Sequence, residues 1–206
     1  MLEQKKRLLL YRLRKEMNGA ALDTMRYFGA DYGRNYGVQI YAIRHLAEEI
    51  GTNHDLAKSF YTENIREVRL VALWIADASA VTPSDFEFWA SGIINSEVAE
   101  QASHGLFAHI EDIDQLLQEW CANGTSLCAY CAMLAAARNS KCSAEMARQA
   151  VLEAVTRFED DALVVRGATA LTMQLDSKSV KYILENLPDN ATSKALREEV
   201  AWMAEN

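Results

Sequence analysis

Six stretches of this chain can be laid over one another in a single register, and that repeat limits the fold more than any other feature. They run over residues 38–46, 68–76, 98–106, 127–135, 164–172 and 196–204, with first residues 30, 30, 29, 37 and 32 positions apart. Four positions into each lies Ala42, Ala72, Ala102, Cys131, Ala168 or Val200, a side chain small enough to let a neighbouring helix come close. A fixed period of this length with helical patterning signals an α-solenoid, in which each unit buries its apolar face against the next. The expected fold is all-α, about six stacked helical hairpins in a single domain over residues 1–206.

The segments between these stretches read as the second helix of each hairpin, at 53–61, 83–94, 111–121, 143–158 and 177–187. Start signals accompany them: Thr82 stands before Pro83, and Asp112 and Asp176 supply capping or first-turn carboxylates. Composition agrees, since half the residues are apolar while only 2 are Pro and 9 Gly, which disfavours collagen-like, disordered and many-turned all-β classes. The longest apolar run, 129–137, is far shorter than the roughly 18–20 residues of a membrane span. Charges interrupt the first 14 residues, unlike a signal peptide, so the expected location is the cytoplasm, with no membrane partner.

Charge is placed unevenly. Residues 1–50 hold 9 Lys/Arg and 6 Asp/Glu, whereas residues 51–206 hold 12 and 23, and between Leu70 and Ala137 there are nine acids and no Lys or Arg. A nucleic-acid partner would therefore be held mainly by the N-terminal part, because phosphate neutralisation supplies most non-specific affinity. Cys121, Cys128, Cys131 and Cys142 cluster within 22 residues, but Cys128 and Cys131 lie in a strongly helical stretch without the turn that presents a zinc-binding pair. Buried thiols and no metal are expected. The chain has no phosphate loop, dinucleotide glycine pattern or paired-histidine motif, and His45, His54, His104 and His109 form no recognisable ligand set, so no cofactor is expected.

At 100° per residue, the positions two and six after the start of each stretch fall opposite the apolar arc and should line the concave groove. The first column reads Ile40, Leu70, Glu100, Ala129, Arg166 and Glu198; the second reads Arg44, Trp74, His104, Met133, Ala170 and Trp202. Two positions before the start come Tyr36, Arg66 and Ser96. A carboxylate thus stands one turn from His104, with Trp74 on the preceding inner helix. Arg44, Arg66, Arg69 and Arg166, with the cations between Lys5 and Lys15, are the phosphate candidates; the Lys5–Lys15 charges also suit the plain polar face of a first helix.

Through these residues the chain resembles the alkylation-repair DNA glycosylases built from HEAT-like repeats, the AlkD-like proteins, over roughly residues 20 to 200. The likeness is clearest in Tyr36-Gly-Val-Gln-Ile-Tyr-Ala-Ile-Arg-His-Leu, similar to the family's Gly-Ile/Val-x-x-x-x-x-Arg helix, and in the helix pairs that follow. It implies HEAT-like hairpins that cradle duplex DNA and, in active members, release cationic alkylated purines with a groove carboxylate, flanking tryptophans and an arginine. Glu100 falls at the catalytic carboxylate. Ser96 and Ala170 stand where the family has tryptophans, and Ala129 where it has the arginine.

The expected site is therefore Glu100 as the catalytic group, with Trp74, His104, Arg44, Arg66, Arg69 and Arg166 contacting DNA. A carboxylate there could stabilise the oxocarbenium-like charge on deoxyribose as a base departs. The alternative expectation is a non-catalytic scaffold that holds a protein partner in the groove, which the acidic stretch from Leu70 to Ala137 favours.

Overall fold

The computed structural model describes residues 2–27 and 33–205. They form thirteen α-helices and no strand among the described residues; one isolated bridge joins Arg34 to Ile65. The helices gather into two compact units, Met1–Ala80 and Val81–Asn206.

Unit 1 contains α1 (Leu2–Lys15), α2 (Gly19–Tyr27), α3 (Ile40–Ile50), α4 (His54–Tyr61) and α5 (Arg66–Ile75). α5 is its central element, packed on α1, α3 and α4, because eight of its ten residues are buried and only Arg69 and Trp74 are partly exposed. α1 contributes Leu9 and Leu13 to that core while most of its six cations face outwards. Asn53 begins α4 by accepting the Leu56 N–H at 3.0 Å. Gly37, in the connection to α3, has φ +67°, and a Cβ there would stand 2.2 Å from the Asn18 carbonyl oxygen, so only glycine fits.

Unit 2 contains α6 (Phe86–Ala90), α7 (Ser96–Gly105), α8 (Ile113–Ala122), α9 (Ser126–Ala136), α10 (Ala144–Arg157), α11 (Ala162–Thr172), α12 (Ser177–Asn186) and α13 (Ala191–Glu205). Here the hairpin repeat is explicit. α7, α9, α11 and α13 pack in sequence as one layer, and α8, α10 and α12 as a second, with α8 on α9 and α10 on α11 across the layers. Ala102, Cys131 and Ala168 are fully buried at the expected register, so small side chains mark the close approach of the first layer.

The layers start from repeated caps: Asn95, Thr125, Ser143, Asp161, Asp176 and Asn190 each accept a backbone N–H two or three residues on. At Thr82 the N–H and the hydroxyl both donate to the Asp85 carboxylate, at 3.1 and 2.9 Å, before the short helix α6. Asp112 departs from expectation. It precedes α8 but makes no side-chain cap bond. A T-shaped cluster of Phe86, Phe107 and Trp120, with centroid distances to Trp120 of 6.3 and 4.9 Å, fills the core beside α8.

Candidate functional site

Three consecutive first-layer helices of unit 2 bring one residue each to a common point. Asn95 caps α7 and fixes its phase, which turns Glu100 to a partly exposed position. From α9 the Tyr130 hydroxyl donates to Glu100 Oε1 at 2.9 Å. From α11 the Arg166 guanidinium reaches the same oxygen, Nη2 at 3.6 Å, and lies 5.7 Å from the Tyr130 ring centroid. The close approach of α11 to α9 depends on Gly167, where an added Cβ would meet Met133 Cε at 3.0 Å and Tyr130 Cδ2 at 3.2 Å.

These contacts differ in weight. A hydrogen bond to a carboxylate is worth about 1.5–3 kcal/mol, whereas the Arg166 pair, 63% and 36% exposed, belongs with surface ion pairs of about 0–1 kcal/mol. Tyr130 thus holds the carboxylate, and Arg166 is the weaker, more exposed partner. Burial, the hydrogen bond to Glu100 and the negative charge of Glu100 push the Tyr130 phenol up to about 12, with Arg166 and Arg138 acting the other way. The hydroxyl therefore stays a proton donor at neutral pH.

In unit 1 the Arg44 guanidinium stacks over Trp74, 4.4 Å from the ring centroid. Two of the residues expected to contact DNA thus lie against each other, a cation on an aromatic face. Arg69 turns back on the end of α4, its Nε and Nη2 each 3.4 Å from the carbonyl oxygens of Tyr61 and Glu63. Arg66 requires a correction. It is 2% exposed, its Nη1 donates to Val38 O at 2.9 Å and to Glu67 Oε1 at 3.0 Å, and no surface phosphate can reach it. That Glu67 oxygen also accepts the N–H groups of Tyr36 and Val38 at 3.1 and 3.2 Å, so the pair staples the connection before α3 onto α5.

The two groove columns are only partly at the surface. Ile40, Arg44, Trp74, Glu100, His104, Arg166, Ala170, Glu198 and Trp202 retain exposure, but Leu70, Ala129 and Met133 are fully buried. The reason is local. α9 is packed against α7, α8, α10 and α11, and a helix apolar all round is enclosed rather than aligned on one face. Sequence reasoning therefore chose Ala129 for α9 and missed Tyr130, one position on, although a tyrosine in an otherwise apolar run was the available signal. His104 stands one turn after Glu100 on α7, half-exposed.

With this geometry in hand, the family described as DNA alkylation repair enzyme matches residues 9–170, which is 162 of the 206 residues. The chain belongs to that family. A solved structure also resembles it over 96% of this chain and 94% of the other, with a TM-score of 0.71 and 17% identity. That protein is described as one of a new family related to the HEAT-like repeat DNA glycosylases, with affinity for branched DNA structures. The likeness shows the HEAT-like fold. Among the curated proteins none matches.

The resemblance places its groove arginine at position 129, where α9 has alanine; the guanidinium beside Glu100 comes from Arg166 on α11. Ser96 and Ala170 offer no aromatic wall at the two positions where tryptophans were expected. Among the described residues, no group of three or more His, Cys, Asp or Glu side chains could hold a metal ion. Cys121, Cys128 and Cys131 are buried and Cys142 is partly so. Burial pushes the thiols of Cys121 and Cys142 up to about 12 and that of Cys131 well above its ordinary value, so none of these three is poised as a thiolate ligand or nucleophile. No described helix is long and apolar enough to cross a membrane.

Proposed function

We propose that this member of the DNA alkylation repair family binds DNA through the phosphate backbone with unit 1, and that Glu100 in unit 2 is its candidate excision carboxylate. The observation that carries the reading is the segregation of charge between the units. Unit 1 holds 12 Lys/Arg against 10 Asp/Glu, while unit 2 holds 9 against 19. Within unit 1 the excess lies on α1, where Lys5, Arg7, Arg14 and Lys15 are exposed. The other two α1 cations are neutralised, Lys6 by Glu63 and Arg12 by Glu49. Backbone cations of this kind supply affinity without reading sequence. The affinity of the structural relative for branched DNA supports DNA as the ligand and junctions as a form of it to test.

Excision would use Glu100 as an anion. A cationic alkylated purine leaves as a neutral base when its N-glycosidic bond breaks, so the protein need not protonate it. What must be stabilised is positive charge developing on the sugar, and a nearby carboxylate does that. Tyr130 holds Oε1 in a fixed orientation, and Arg44 and Trp74 are a second candidate contact with DNA. The test is release of 3-methyladenine and 7-methylguanine from methylated duplex DNA, with Glu100→Gln and a no-protein blank beside the wild type. Release that falls to the blank in the variant establishes the carboxylate role. Wild-type release at the blank level, with DNA still retained at low salt, leaves a DNA-binding protein without excision chemistry. Absence of DNA retention overturns the reading and returns the protein-binding scaffold to first place.

A further inference from the structure

A groove of about 470 Å³ runs between α1 and α3 within unit 1. Tyr11 and Lys15 line it from α1, Tyr41, His45 and Leu46 from α3. Its volume lies in the roughly 300–1,000 Å³ range of ligand clefts. Its exposed tyrosines set it apart from the adjoining cleft lined by Lys5, Leu9, Arg12 and Phe60, and α1 borders both. Both tyrosines are held outside the core, Tyr11 57% and Tyr41 75% exposed. Large aromatic side chains left in water at a concave surface mark a contact region. The groove is also bordered by the most basic helix of the chain. α1 carries six cations and one acid, and the Lys15 ammonium sits 4.5 Å from the centroid of the Tyr11 ring. Glu16 is the acid lining the groove, Arg12 is bound to Glu49, and His45 lies 3.2 Å from Glu49 and 3.8 Å from Glu48, so among the described residues Lys15 is the groove cation not held by a carboxylate.

Aromatic faces beside cations are what an unpaired nucleotide needs. Every base offers a π-face for stacking regardless of sequence, and its phosphate requires a neighbouring positive charge. A fully paired duplex cannot use such a groove without first unstacking a base, which costs energy that an already single-stranded nucleotide does not spend. A purely apolar occupant would leave the Lys15 ammonium without a role. An acidic peptide would meet that ammonium but has no use for two exposed rings.

We propose that the groove between α1 and α3 binds an unpaired nucleotide of single-stranded or branched DNA, its base stacked on Tyr11 and Tyr41 and its phosphate held by Lys15. The inference rests on the reading that the chain binds DNA and deepens it by assigning the form of DNA that unit 1 selects. It requires no contact from unit 2.

The test is fluorescence anisotropy with two labelled probes of the same sequence, a fully paired duplex and that duplex carrying an unpaired oligothymidine flap. Wild type, Tyr11→Ala, Tyr41→Ala, Tyr11→Phe and Tyr41→Phe are compared at one salt concentration. Each alanine variant should weaken flap binding by about tenfold or more while shifting duplex binding less than about twofold. The phenylalanine variants keep the stacking surface and should bind the flap as wild type does. Alanine variants that leave flap affinity unchanged, or that weaken duplex and flap equally, overturn the proposal while DNA binding stands. Loss in the phenylalanine variants overturns stacking in favour of the hydroxyls. If wild type binds neither probe, the DNA reading fails and this inference fails with it. Both tyrosines are exposed, so the variants should fold, and circular dichroism checks that they do.

Discussion

Replacing Arg66 with methionine separates two accounts of that residue by several kcal/mol. In the structure its guanidinium is buried, donating to Val38 O at 2.9 Å and Glu67 Oε1 at 3.0 Å, and Glu67 itself is fully enclosed. Arg66→Met fills similar volume but removes the cation, so the Glu67 carboxylate is left as a buried charge supported only by the N–H groups of Tyr36 and Val38. Breaking a buried pair in this way costs about 3–5 kcal/mol, a large share of the roughly 5–15 kcal/mol that holds an ordinary domain together. The double variant Arg66→Met/Glu67→Gln keeps an oxygen acceptor for both N–H groups and removes the charge. It should recover at least about 1–2 kcal/mol of the loss. Urea unfolding followed by circular dichroism measures both. A loss below about 0.5 kcal/mol for Arg66→Met, the usual size of a surface substitution, would refute the staple and restore Arg66 as an exposed phosphate contact. A double variant no more stable than the single one would refute the charge argument specifically.

Two further outcomes follow from the geometry. Glu100→Gln should lower the Tyr130 titration midpoint from about 12 towards 10, because it removes the carboxylate that accepts the phenol proton and repels phenolate, whereas Arg166→Ala should raise it; carbon-13 NMR of ring-labelled tyrosine resolves the site among the 8 tyrosines, and an unmoved midpoint in Glu100→Gln would contradict the contact. Since the folded state favours the neutral phenol, that stabilisation is present below pH 10 and is lost as pH rises through about 12. Gly37→Ala should cost about 2–4 kcal/mol in the same urea assay, because it combines a left-handed φ of +67° with a Cβ 2.2 Å from Asn18 O; a loss under about 1 kcal/mol would show that the connection relaxes freely.

The repeat was legible because its signal is periodic and local. Ala102, Cys131 and Ala168 recur at one register and are the residues buried where the first layer of unit 2 closes up. Asp176 was legible as a cap for the same reason, its carboxylate accepting the Ser179 N–H at 2.8 Å only three residues away. Asp112 shows the limit, since its residue type suits a cap but its backbone, at ψ 42°, leaves the side chain without that bond. Tyr130 escaped because α9 is apolar on every side, so no stripe set its rotation. Arg66 was misread because its partner Val38 O arrives from a connection 28 residues earlier, a contact that no helical period encodes. Register alone put Arg166 on the exposed side of α11, but its approach to Glu100 depends on Gly167 letting α11 come close to α9, which no register shows. The periodic part of the fold is written in spacing, whereas the site is written in which helix end or loop returns to it.

The central claim, that unit 1 holds DNA by its backbone phosphates, is tested most directly by the salt dependence of affinity. Duplex binding is measured by anisotropy across a salt series for wild type and for the double variant Arg7→Gln/Arg14→Gln, whose two exposed side chains lie on one face of α1, two turns apart. Each phosphate contact contributes about 0.9 to the slope of log affinity against log salt, so the account predicts a steep wild-type slope that becomes shallower by about 1.8 in the variant. A wild-type slope near zero, or one that the variant leaves unchanged, would contradict it.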